Sequence, residues 1–121
     1  MSKNSLILTV DTNRRNLELL NKFLTKEGYQ TVSATNLEEL DRVLDESLTI
    51  QLVLLDISGF NSQIWERCEQ IKKQQIPFLV ISPQQNAMIQ QASIVHGANT
   101  MLVKPLALKQ FISLIKGFLE H

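Results

Sequence analysis

Asp11, Asp56, Ser82 and Lys104 are the residues of this chain whose types and settings could do chemistry together. Each closes a short apolar run: Val10 precedes Asp11, Leu52 to Leu55 precede Asp56, Phe78 to Ile81 precede Ser82, and Met101 to Val103 precede Lys104. If those runs are adjacent parallel strands, the four side chains converge at one end of a sheet, where open α/β folds place their ligands. Two carboxylates, a hydroxyl and an ammonium at one rim suit the handling of a phosphoryl group. A carboxylate can attack phosphorus to give an acyl phosphate, but nucleophile and donor are both anions, so a cation must sit between them. Magnesium is held by one or two carboxylates, a carbonyl, waters and phosphate oxygens, and Asp11 beside Asp56 could anchor it. Lys104 adds a second positive charge, and Ser82 offers a hydroxyl that can donate to a phosphoryl oxygen.

The elements that must position these residues alternate in type. Apolar runs predict strands over about 5–10, 30–34, 51–55, 77–82 and 100–103, each followed by a segment of helical period. Five such pairs argue for a parallel sheet covered by helices on both faces. The runs at 51 and 77 are nearly all apolar, as central strands buried on both faces should be. Leu17, Leu20, Phe23 and Leu24 form the stripe of a first helix, with Gly28 at its left-handed end. Asn36 with Glu39 resembles a capping box ahead of Leu37, Leu40, Val43 and Leu44. Ser62 is the expected cap of a third helix, which carries Ile64, Cys68 and Ile71 inward and ends at Ile76-Pro77. Asn86 is the expected cap of a fourth, with Ile89 and Ala92 inward, Val95 a third candidate, and Gly97 closing it. The last helix follows Pro105, with Leu108, Phe111, Ile112, Ile115 and Leu119 on one side.

At 121 residues the chain has the length of one domain, expected to cover 1–121, and can bury roughly two thirds of its unfolded surface. Twelve Lys and Arg balance twelve Asp and Glu, so no global basic field drives direct nucleic-acid binding. The single cysteine, Cys68, excludes an internal disulfide and a Cys-based metal site, and it reads as a small packing residue. No apolar stretch reaches the roughly 20 residues of a membrane span, and a cytoplasmic location without membrane association is expected. Leu119, Glu120 and His121 read equally as a natural helix end or as the start of an appended Leu-Glu-polyhistidine tail.

The strings ILTVD ending at Asp11, LVLLD ending at Asp56 and FLVIS ending at Ser82, with the pair Lys104-Pro105, resemble the receiver domain of bacterial two-component response regulators. The resemblance covers essentially the whole chain. It implies a three-layer, doubly wound, flavodoxin-like (βα)5 fold whose five parallel strands run in the order 2-1-3-4-5. It implies that Asp56 is the phosphoacceptor, charged by a histidine kinase or a phosphotransfer protein in a phosphorelay. It makes Lys104 the phosphate-pairing lysine, Ser82 the switch hydroxyl, Asp11 an acidic magnesium residue and the Ser58 backbone carbonyl a further metal ligand beside Asp56. A cis peptide between Lys104 and Pro105 is also implied. So is a signalling surface on the fourth helix, fifth strand and fifth helix, used toward an output domain, a partner protein or a second copy of the chain. Beyond self-phosphorylation and self-dephosphorylation at Asp56, no enzyme activity is implied.

The chain departs from the family pattern at the same rim. Thr12 stands where receivers usually carry a second adjacent acidic residue, and a unit charge pair about 4 Å apart is worth about 4 kcal/mol at an effective dielectric near 20. Weak magnesium binding in the unphosphorylated state is therefore expected, and a pseudo-receiver, an interaction module working without acyl phosphate, is the alternative reading. Phe60 replaces a common proline, Pro83 follows the switch hydroxyl where a small residue is usual, and Met101 holds the usual aromatic switch position. A flexible thioether can still fill a vacated pocket.

Blander roles compete with these. Asp11 and Asp56 could cap the loops that follow them, Ser82 before Pro83 could be an ordinary turn, and Lys104 could be a solvated strand-end lysine. His96 before Gly97 is expected to meet carbonyls at a helix end. Trp65 reads as an interface anchor or as packing beneath the loop after Asp56. A haloacid-dehalogenase-like phosphatase would need a second Asp where this chain has Ser58. A flavodoxin-like FMN site would bring its anion against a carboxylate, and no P-loop or dinucleotide fingerprint appears.

Overall fold

The computed structural model describes residues 5–120, so His121 lies outside the described residues. Strands and helices alternate as β1 Leu6–Val10, α1 Arg14–Lys26, β2 Gln30–Ala34, α2 Leu37–Asp45, β3 Ile50–Asp56, α3 Ile64–Lys73, β4 Phe78–Ser82, α4 Ala87–Val95, β5 Thr100–Val103 and α5 Leu108–Leu119. All strand pairs are parallel, in the order β2-β1-β3-β4-β5. This is the doubly wound, flavodoxin-like fold expected from the alternation and from the family resemblance.

Period-two alternation splits the apolar residues of the sheet between two cores. On one face Leu8, Val10, Val53, Leu55 and Val80 pack with Leu40 and Leu44 of α2 and with Ile64, Cys68 and Ile71 of α3. On the other face Ile7, Leu52, Leu54, Leu79 and Ile81 pack with Leu24 of α1 and with Phe111 and Ile115 of α5. Both faces of β3 and β4 are thus covered, and that is why these two strands read as continuous apolar runs. The register sets Leu55 beside Val10 and Asp56 beside Ile81, bringing the strand ends to a common rim.

The helix ends follow local chemistry, with two corrections. Gly28 and Gly97 take the left-handed conformation at φ 96° and φ 104° that lets α1 and α4 stop. Asn36 Oδ1 accepts from Glu39 N at 2.8 Å, but the returning Glu39 carboxylate accepts from Thr35 N and Thr35 Oγ1, one residue earlier than a capping box requires. Ser62 does not cap α3. That helix has no side-chain cap, and Asn61 instead accepts from Gln63 N at 2.9 Å in a tight Asx turn. Asn86 caps α4, accepting from Met88 N and Ile89 N. Val95 is 70% exposed and Leu108 58% exposed, so neither faces inward. The buried residue of α4 is Ser93, whose hydroxyl donates to Ile89 O at 2.7 Å.

Candidate functional site

Asp11, Asp56 and Lys104 meet at the C-terminal rim of the sheet, as the strand-end pattern requires. Lys104 Nζ lies 2.5 Å from Asp56 Oδ2, with the Asp56 side chain 5% exposed and the Lys104 side chain 35% exposed. The peptide between Lys104 and Pro105 is cis, as the family resemblance implied. Lys104 N donates to Ser82 O at 3.0 Å, which ties the end of β5 to the end of β4.

Each carboxylate is also held by its own loop. Asp11 Oδ1 accepts from Asn13 N and Asp56 Oδ1 from Ser58 N, both at 2.9 Å. One oxygen of each carboxylate therefore serves the turn that follows it. Burial pushes the Asp11 carboxyl above its ordinary value, and the Asp56 charge adds to the rise. The Asn13 N–H and Lys104 partly oppose it.

Thr12 and Ser82 have other partners. Thr12 Oγ1 donates to the Ser58 carbonyl at 3.0 Å, fastening the loop after β1 to the loop after β3. The two loops run so close that a Cβ on Gly59, at φ 82°, would lie 2.6 Å from Thr12 Oγ1, so only glycine fits. The fully buried Ser82 hydroxyl donates to Gln84 O at 2.8 Å in the loop leading to α4. Met101 is half-buried, opposite Val80, and leans on the α2–α3 core.

The donors present are hard oxygens: two buried carboxylates and the Ser58 carbonyl, which keeps a second lone pair beside its bond from Thr12. The Ser58 hydroxyl is itself buried and has no hydrogen-bond partner among the described residues. This set fits magnesium, with one carboxylate fewer than a fully acidic site.

Asn16, Leu19 and Leu106, which sequence reasoning passed over, help to complete the surroundings. A cavity of about 550 Å³ opens on Asp11, Asp56 and Lys104, and its wall is built from Asn16, Leu19, Leu20, Pro83, Pro105 and Leu106. The available signal was Leu19, an apolar residue off the inward stripe of α1 and 59% exposed. Away from this rim, Cys68 is fully buried and its thiol is pushed up to about 12 by burial, in keeping with a packing role. His96 Nδ1 lies 2.8 Å from Ala92 O at the end of α4, as expected for that position. Trp65 stacks on the His96 ring at 5.5 Å and leans on the α2–α3 core, joining α3 to the end of α4.

The model of the response regulator receiver domain family matches residues 7–116. The transcriptional regulatory protein YxdJ of Bacillus subtilis (strain 168) is 30% identical over 101 residues, 82% of this chain and 43% of that protein. The chain thus spans less than half of that curated relative. Among solved structures, a two-component response regulator from Clostridium difficile superposes with a TM-score of 0.85 at 24% identity, covering 97% of both chains. A CheY-like receiver domain protein from Methanospirillum hungatei JF-1 gives 0.84 at 24% identity, covering 96% of this chain and 94% of that one. The strand-end carboxylates, the lysine beside them, the strand order and the extent of the family match agree, and the chain belongs to the response regulator receiver domain family.

Proposed function

We propose that this receiver takes a phosphoryl group onto Asp56 from a histidine kinase or a phosphotransfer protein. Residues 1–121 then act as one receiver-like domain that changes its contacts with a partner. Receiver domains in general are phosphoacceptors rather than conventional enzymes, bind magnesium at their acidic pocket, and interact with histidine kinases and output domains. The observation that carries the reading for this chain is the buried Asp56 carboxylate paired with the Lys104 ammonium, with Asp11 lining the same cavity.

In the reaction an Asp56 oxygen forms a bond to phosphorus as the bond from phosphorus to the donor breaks, leaving an aspartyl phosphate. Lys104 transfers its ion pair from the carboxylate to the new phosphoryl oxygens, where the added negative charge resides. Ser82 gives up the Gln84 carbonyl and donates to a phosphoryl oxygen, which pulls on the loop that begins α4. Met101 responds by packing, since it has no hydroxyl to bury or expose. Asp11, Asp56 and the Ser58 carbonyl are the residues that would hold magnesium, which when bound offsets the repulsion between anionic nucleophile and anionic donor. The output face is α4, β5 and α5, toward an output domain, a partner protein or a second copy of the chain, with no direct nucleic-acid or membrane contact. No helix among the described residues is long and apolar enough to cross a membrane, in keeping with the proposed cytoplasmic location.

Incubating the chain with acetyl phosphate and magnesium and measuring intact mass tests this. Wild type is expected to gain one phosphoryl group and Asp56→Ala none. A wild type that gains nothing at saturating donor leaves the pseudo-receiver, for which the Thr12 bond to the metal-ligand carbonyl is the supporting feature. Titration of the unphosphorylated chain is expected to give millimolar or weaker magnesium affinity. Thr12→Asp, which adds a carboxylate, should tighten it about tenfold, and submillimolar binding by wild type would contradict this.

A further inference from the structure

We infer that the groove beside Asp56 selects among small phosphoryl donors, favouring acyl phosphates with an apolar body. This rests on Asp56 being the phosphoacceptor and names the class of small donor that suits it. Asp56 is only 3% exposed, and the space that opens on it is the cavity of about 550 Å³ already described, a volume within the range of small-molecule sites. A second cavity, between Thr12, Asn36 and Phe60, is not lined by Asp56.

The groove's lining combines two chemistries. Asp11, Asp56 and Lys104 are the groups that would hold a phosphoryl group, and Leu19, Leu20, Pro105 and Leu106, contributed by α1 and by the segment after β5, give it apolar wall. In phosphoryl transfer the attacking and leaving oxygens lie roughly in line, so the displaced group departs on the side facing away from the Asp56 oxygen. For an acyl phosphate whose body is a ring or a short alkyl chain, Leu19, Leu20, Pro105 and Leu106 are the apolar surface that the groove offers to that body.

The step balances without a further reagent. An Asp56 oxygen bonds to phosphorus, the bond from phosphorus to the acyl oxygen breaks, and the carboxylate leaves with the electron pair. The total charge of nucleophile and donor is unchanged, and no proton or electron is exchanged. Contact between an apolar body and the wall is made before and during transfer alike. It therefore lowers the donor concentration required and leaves the rate at saturation unchanged.

The test compares acetyl phosphate with benzoyl phosphate on the full chain with magnesium, at donor concentrations below saturation, by the rate of mass gain at Asp56. The expected result is an apparent second-order rate constant about tenfold higher for benzoyl phosphate. That ratio should fall toward one in Leu19→Ser and further in Leu19→Ser with Leu106→Ser. Leu19 is 59% exposed, so its replacement leaves the core in place. Comparing one ratio across variants cancels the different intrinsic reactivities of the donors. A ratio near one in wild type, or one that Leu19→Ser leaves intact, overturns the inference while leaving Asp56 as acceptor. Failure of both donors on wild type overturns the inference together with the reading on which it rests.

Discussion

β3 ends in Asp56 and β5 leads into Lys104, the two partners of one ion pair, yet the two strands are built very differently. In β3 every residue from Leu52 to Asp56 is buried, and the neighbouring α3 buries Ile64, Cys68 and Ile71. In β5 no residue is fully buried, and α4 beside it buries only Ser93 while exposing Ile94 at 59% and Met88 at 81%. Asp56 therefore closes a fully buried run, and Lys104 follows a strand with no fully buried residue. Elements with few buried apolar groups open at low free-energy cost. The chemistry is anchored on the rigid side, and the cation and hydroxyl that would answer a new phosphoryl group lead into the loose side.

The largest expected effect separates the two regions by stability. Leu55→Ala in β3 removes a fully buried side chain and should cost about 3 kcal/mol, whereas Ile94→Ala or Val95→Ala in α4 should stay within about 0.5 kcal/mol. Urea unfolding measures both, and similar losses would erase the contrast. Next in size is Asn86→Ala, which removes the side-chain acceptor of Met88 N and Ile89 N and should cost about 1 kcal/mol. Amide exchange should rise at those two groups and along α4, with α3 unchanged. Equal loss of protection in both helices would show that the edge does not open on its own.

The smallest expected effect lies inside the rigid half and depends on pH. The folded-state pKa of Asp11 is raised, chiefly by burial and further by Asp56. The stability it confers is thus present while it is protonated in acid and is lost as pH rises through the raised value. Asp11→Asn can still accept from Asn13 N but never ionises. It should be more stable than wild type near neutral pH, with the gap closing as pH falls from the raised value toward the ordinary carboxylate value. Urea midpoints across pH would show it, and a gap that widens in acid would reverse the sign of the argument.

Legibility in the sequence follows the same division. The central strands announced themselves because a strand covered on both faces must be apolar throughout, and each polar residue ending such a run stood out. Asn86, Gly28 and Gly97 were legible because capping and left-handed backbone are local properties of one or two residues. The phase of α4 was not. Met88, Ile89, Ile94 and Val95 are apolar around most of its circumference, so periodicity could not say which face β5 takes, and Val95 proved exposed. Ser62 and Asn61 are both competent turn formers, and the path of the chain from Gly59 chose Asn61.

The sequence by itself determined the five βα pairs and the run of Asp11, Asp56, Ser82 and Lys104 at strand ends, because these follow from side-chain periodicity and residue chemistry along the chain. Only the tertiary structure decided which of those groups touch. Thr12 bonds to a carbonyl 46 positions away, Ser82 donates to Gln84, and Leu19 lines one groove with Pro105 and Leu106. Such contacts depend on how separate loops are brought together once the sheet has formed, and a linear pattern carries no record of the distance between them.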